Sequence, residues 1–318
     1  MDKVVDFVGN SKQLNGVYYI EFKEGKSTGL KAYNVFTESG LSMNILIDRG
    51  MDISDLKVDG KNISFLSHTG LVNSNYFVEE DNRGFMRNFN VGFLTTGGLS
   101  YMGTPSKSKN FGLHGVISNT PADNYYYKLK ENCIEIVGKV REAEMLGVNL
   151  VLERRIKVYT KEKKISVSDV VKNKSYTRTP LMLLYHVNFG YPFFNPNIRL
   201  IIDPEKTVNR DDNEIRDWHT FSYPEKVKNE EVYIHKMKKT ETIVESPDTS
   251  MRMKMMYSEN LPILNEWKLE SKGSYVLGLE PATNSVTGYD EQKLENKIQY
   301  LDAREERKFN LDFSFERI

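Results

Sequence analysis

Near its C-terminus the chain alternates with period two: Phe309, Leu311, Phe313 and Phe315 are separated by Asn310, Asp312, Ser314 and Glu316. Successive side chains of a strand point to opposite faces, so this pattern predicts a strand with one face in a core and one toward water. The same texture runs through the chain. Asn149 to Tyr159 and Ile165 to Val171 read as strands around the polar turn Thr160-Lys161-Glu162-Lys163-Lys164. Cys133 to Val137, Tyr275 to Leu279, Val17 to Phe22, Leu30 to Phe36 and Leu41 to Ile47 extend the series. Lys297 to Leu301, followed by the charged turn Ala303 to Arg307, reads as a hairpin leading into the final strand. Helical spacing is confined to Glu291 to Leu301, where it competes with that hairpin, and to Asn73 to Phe89, a short helical turn or a long loop. Many strands without crossover helices predict an all-β fold of antiparallel sheets, packed as a sandwich or closed as a barrel, in one domain spanning 1–318.

Bulk properties narrow the function classes. Lys plus Arg and Asp plus Glu are 44 each, so the net charge is zero and the basic excess of a nucleic-acid binder is absent. No apolar run approaches membrane-spanning length, and Met1 to Asp6 carries acids where a signal peptide would carry a basic start and an apolar run. A single cysteine, Cys133, allows no intramolecular disulfide, which with the N-terminus leads to the expectation of a cytoplasmic protein.

Two segments place a titratable side chain in an otherwise apolar run: Leu184-Tyr185-His186-Val187-Asn188-Phe189-Gly190 and Gly278-Leu279-Glu280-Pro281-Ala282-Thr283-Asn284. A carboxylate in such a run costs free energy unless paired or protonated. A histidine facing a carboxylate across a cleft is the minimum equipment for moving protons without a metal or cofactor. The same residues also fit a core histidine and a strand-end glutamate. His114 sits in Phe111-Gly112-Leu113-His114-Gly115, where the glycines allow a tight turn and close backbone approach. Asp48-Arg49-Gly50-Met51-Asp52-Ile53 reads as a turn with Gly50 at positive φ, either closed by an Arg49–Asp52 pair or presenting Arg49 to a cleft. Gly97 to Pro105 is glycine-rich but lacks the Gly-Lys-Ser/Thr of a phosphate-binding loop. His68 is read as structural, His219 is given no role, and His235, alternating with Tyr233 along a sheet face, is left out of the site. No two histidines have the spacing of a metal site, no Gly-x-Ser-x-Gly elbow is present, and Cys133 lies mid-strand with no partner.

In order and content, these segments resemble the galactose mutarotase-like superfamily, the aldose 1-epimerases, and most closely its DUF4432 branch. The resemblance implies a large antiparallel β-supersandwich. It implies an isomerase that interconverts the anomers of a sugar or sugar derivative, with no cofactor and no metal. His186 matches the histidine that protonates the ring oxygen, although classical members carry an asparagine before it and this chain has Tyr185. Glu280 matches the base of the family's Leu-Glu-Pro segment, and His114 the substrate-binding histidine of its Leu-His-Gly segment. The family's substrate arginine falls on Arg87, 27 residues before His114, with Arg83 as a rival. Arg49, Asn188 and Asn284 complete the expected substrate-binding set. The implied partner is a small carbohydrate, with no nucleic acid or membrane, for a monomer or homodimer. Lys107 and Lys109 would be the basic pair for a phosphorylated sugar. The alternative on the same fold is a non-catalytic carbohydrate-binding or sensing protein. A cupin-like metal isomerase is opposed by the histidine spacing, and a glycosidase needs a second carboxylate.

Overall fold

The computed structural model describes residues 6–212, 214 and 217–318. Two large sheets face each other, and every pairing between their strands is antiparallel. The first has eleven strands. Its order runs Gly16–Glu21, Lys31–Phe36, Leu41–Leu46, Asp52–Val58, Leu94–Gly97, Leu184–Phe189, Ser274–Ala282, Ile263–Ser271, Glu231–Met237 and Pro204–Asn209, with Lys61–Asn62 beside the fourth. The second has eight strands, with Glu306–Arg317 between Met251–Tyr257 and Lys164–Asn173. Two two-stranded ribbons, two short α-helices, Asp81–Asn88 and Tyr289–Leu294, and short 3-10 turns complete the described architecture.

The alternation at Phe309, Leu311, Phe313 and Phe315 becomes the inward face of a twelve-residue strand. Its rings meet those of the opposite sheet: Phe93 lies 5.1 Å from Phe313 and 6.2 Å from Phe189, centroid to centroid. Burying one face of each sheet against the other supplies the apolar burial that drives such a fold. Asn149–Tyr159 forms as predicted, whereas Cys133–Ala143 and Ser274–Ala282 run longer than their apolar segments, so Glu280 lies inside a strand.

The predicted C-terminal hairpin does not form. Gln299–Leu301 pairs with Thr179–Leu181, because both edges of Glu306–Arg317 are taken by the long strands Lys164–Asn173 and Met251–Tyr257. Of Glu291 to Leu301, only the first residues are helical, in Tyr289–Leu294. Within Asn73 to Phe89, a 3-10 turn at Ser74–Tyr76 precedes the helix Asp81–Asn88.

One charged network crosses the core. Arg154, fully buried, contacts Asp169 at 2.7 Å and Asp52 at 2.8 Å, and Tyr185 Oη donates to Asp169 at 2.8 Å. Burial works against the Arg154 charge; Asp169 and then Asp52 more than offset it, holding its pKa above the ordinary value. Tyr185 points inward from the strand that carries His186, so this network anchors the back of that strand to the second sheet.

Candidate active site

Strand pairing brings the two predicted groups together. Leu184 stands opposite Ala282 and Asn188 opposite Gly278, a register that sets His186 against Glu280 on neighbouring strands. Tyr185, Val187 and Phe189 join the core between the sheets, and alternation turns His186 and Asn188 to the outer face. Glu280 and Gly278 take that face on the next strand. His186 Nε2 and Glu280 Oε1 are 3.0 Å apart, with both residues almost wholly buried. The expected cleft between acid and base is therefore absent. They are cross-strand neighbours in direct contact, because the sheet register makes them so.

Asn188 fixes the state of the imidazole. Its Nδ2 donates to the His186 carbonyl at 2.9 Å, which turns Oδ1 toward His186 Nδ1 at 2.5 Å. An amide oxygen can only accept, so the network places a proton on Nδ1 and leaves Nε2 facing Glu280 Oε1. Gly278 makes room for this arrangement. A Cβ there would stand 3.0 Å from Glu280 Oε1, 3.1 Å from His186 Cε1 and 3.2 Å from Asn188 Oδ1.

His114 approaches from the loop after the glycine-rich segment. Its backbone is held at φ 54° by hydrogen bonds to Gly103 and from Gly98, a conformation uncommon outside glycine and concentrated at functional sites. Its ring lies 5.9 Å from that of His186 and 5.1 Å from that of Phe85. Burial, and then the charges of His186 and Arg210, pull its pKa down to about 3, so His114 is neutral at ordinary pH. Nδ1 is buried with no hydrogen-bond partner, an unmet polar group beside the acid–base pair.

His114, His186 and Glu280 open together into a cavity of about 600 Å³. Phe89 and Trp267 wall His186 at 5.2 and 5.3 Å. Trp267 is fixed by its Nε1 donating to Glu230 Oε2 at 2.8 Å. Arg210 also lines the cavity, paired with Asp211 at 2.8 Å and Glu230 at 3.0 Å. Sequence reasoning missed Arg210, Glu230, Phe89 and Trp267. Trp267 and Phe89 carried a usable signal, since aromatic residues commonly stack on the apolar faces of sugars. His68, read as structural, stands at the exposed edge of the cavity.

The remaining predicted site residues lie elsewhere. Arg49 is buried and donates to the carbonyls of Ser118, Val72 and Asn88, because its strand-end turn is packed under those loops. Burial pulls its pKa down to about 10, and Asp52 pairs with Arg154 in its place. Arg87 faces solvent on the outer side of its helix and pairs with Glu80 at 3.0 Å; Arg83 meets the same carboxylate at 3.9 Å. Asn284 is buried, with its amide donating to Gln292 and the Lys297 carbonyl. Asn188 lies behind His186, holding the ring rather than lining the cavity. Lys107 and Lys109 are exposed and do not line it either.

A second histidine–carboxylate pair lies on the opposite face of the same sheet. His235 Nε2 is 3.0 Å from Glu266 Oε2, both fully buried and away from the cavity lining. Access to a cavity therefore distinguishes the His186–Glu280 pair. Among the described residues, no group of three or more His, Cys, Asp or Glu is placed to hold a metal ion, and no helix is long and apolar enough to cross a membrane.

Solved structures share this architecture across nearly the whole chain. A Klebsiella pneumoniae protein provisionally described as an aldose 1-epimerase superposes with a TM-score of 0.88 at 22% identity, covering 96% of this chain and 86% of that one. A galactose mutarotase-like protein from Clostridium acetobutylicum gives 0.70 at 15% identity, covering 96% and 100%. The galactose 1-epimerase of Lactobacillus acidophilus gives 0.65 at 13%, covering 95% and 99%. No curated protein matches the sequence. The family model described as a domain of unknown function, DUF4432, matches residues 27–315. The chain thus belongs to the DUF4432 family and has the galactose mutarotase-like fold.

Proposed function

We propose that the protein interconverts the α and β anomers of a sugar, with Glu280 as base and His186 as acid. The supporting observation is the 3.0 Å His186–Glu280 contact at the wall of the cavity. The anomeric hydroxyl and the ring oxygen of a cyclic sugar are borne by the same carbon. An acid and a base on adjacent strand positions match that spacing. Glu280 takes the anomeric hydroxyl proton while His186 Nε2 gives its proton to the ring oxygen. The bond from the anomeric carbon to the ring oxygen breaks as the carbonyl forms. The carbonyl carbon turns, and closure with the roles reversed yields the other anomer. No electron leaves the substrate, so the cycle closes on the chain's own groups.

Neutral His114 can donate one N–H to a substrate oxygen without adding charge, and Arg210 can reach another. Trp267 and Phe89 offer aromatic surface to the sugar's C–H faces. Likeness to the aldose 1-epimerase structures agrees with this chemistry at the level of the fold.

Polarimetry tests the reading. A freshly dissolved pure anomer from a panel of aldoses should equilibrate faster with the protein than in buffer, and Glu280→Gln should return it to the buffer rate. Equal acceleration by wild type and Glu280→Gln would remove the assignment.

A further inference from the structure

The cavity is larger and more apolar than a plain hexose requires. At about 600 Å³ the cavity lies in the range of sites that take drug-sized ligands, about 300–1,000 Å³, with room beyond the dozen or so non-hydrogen atoms of a hexose. One wall is a continuous apolar surface. Phe65, Leu113 and Leu269, each partly exposed, pack against Phe85 and Phe89, whose rings are 4.6 Å apart. Met86 stands beside them at the cavity lining with 54% of its surface exposed. Apolar surface kept open in a concave site marks the place where an apolar ligand part is buried.

Charge argues in the same direction. Among the described residues, Arg210 is the arginine that lines the cavity, and it is engaged by Asp211 and Glu230. Among the described residues, Asp211 and Glu230 are the lining carboxylates beside Arg210, and Glu280 is paired with His186. A phosphate or carboxylate on the substrate would have to compete with Asp211 and Glu230 for Arg210.

Building on the anomerase reading of the site, we infer that the substrate is an uncharged sugar bearing an apolar substituent, acyl or aryl, on the end remote from the anomeric carbon. The reducing end sits at His186 and Glu280, and the substituent lies along the Phe65–Phe85–Met86–Leu269 wall.

Titration calorimetry with glucose, galactose, their 6-O-benzoyl esters and their 6-phosphates, alongside anomer exchange for each, tests the inference. At least one benzoyl ester should bind tenfold or more tightly than its parent sugar, and the phosphates more weakly than the parents. Met86→Asp, at an exposed position, should shrink the benzoyl advantage severalfold. Equal binding of parent and ester, preference for a phosphate, or binding of none of the six would overturn the inference. Ester-selective binding without exchange of any sugar would leave it standing and remove the anomerase reading. Exchange of plain hexoses with no ester preference would do the reverse.

Discussion

Asn188 and His186 sit two residues apart on one face of one strand, and the Asn188 amide oxygen holds His186 Nδ1 at 2.5 Å while its amide nitrogen is tied to the His186 carbonyl. The strand thus carries its own device for choosing the tautomer of the group beside Glu280. Asn188 acts through His186, as a positioning residue. Asn188→Ala should slow anomer exchange by the worth of one hydrogen bond to a charged group, about 1.5–3 kcal/mol or roughly ten- to hundredfold, mostly in kcat. Asn188→Asp, which still accepts from Nδ1, should recover most of the loss. A loss confined to KM, or no recovery with aspartate, would contradict the assignment.

Gly278 gives a separate test. An added methyl presses on Glu280, His186 and Asn188 together, each at 3.0–3.2 Å from the new Cβ. Gly278→Ala should cost tenfold or more in exchange rate, since small displacements of reacting groups are expensive, while costing about 1–3 kcal/mol of stability. Steady-state rates and chemical denaturation on the same preparation separate the two effects.

His114 supplies a pH signature. Its folded pKa, about 3, lies below the ordinary value of 6.5, because burial opposes the charged form. The unfolded chain therefore takes up a proton below pH 6.5 that the folded chain refuses. The stability due to neutral His114 is fully present above pH 6.5 and declines as pH falls from 6.5 toward 3. The slope should be about 1.4 kcal/mol per pH unit. Urea unfolding at pH 7 and pH 4.5 should show wild type losing more stability than His114→Asn. Parallel losses would show that His114 is protonated in the folded state.

Much of this site was legible in the sequence, and the illegible parts have common causes. Alternation predicted the sheets because burial on one face leaves a period of two in the chain. His186 and Glu280 stood out because titratable groups in apolar runs need a reason. Their direct contact was not readable, since it depends on the register between strands about ninety residues apart. Arg49 and Arg87 were misplaced for a related reason: an arginine that ends on buried carbonyls or on a helix surface looks the same in sequence as one in a cleft. Arg210 and Glu230 lie in or next to a strand edge with no alternation to mark which side faces the cavity. The C-terminal hairpin failed because a local turn signal cannot reveal that both edges of the final strand are already occupied.

The core network behind the site should dominate stability. Arg154→Met leaves Asp52 and Asp169 buried without their cation and should cost about 3–5 kcal/mol. Tyr185→Phe, which removes one hydrogen bond to Asp169, should cost about 1–2 kcal/mol. A Tyr185→Phe protein as stable as wild type would show that the Asp169 contact does not hold this strand.

The central claim is that Glu280 and His186 pass protons to and from one sugar. Magnetisation-transfer NMR between the α and β anomeric proton signals measures this at equilibrium, in wild type, Glu280→Gln and His186→Gln, with sugar binding recorded on the same samples. The account predicts exchange well above the buffer rate in wild type and a loss of about a hundredfold or more in each variant, with binding retained. Exchange at the wild-type rate in either variant would contradict it.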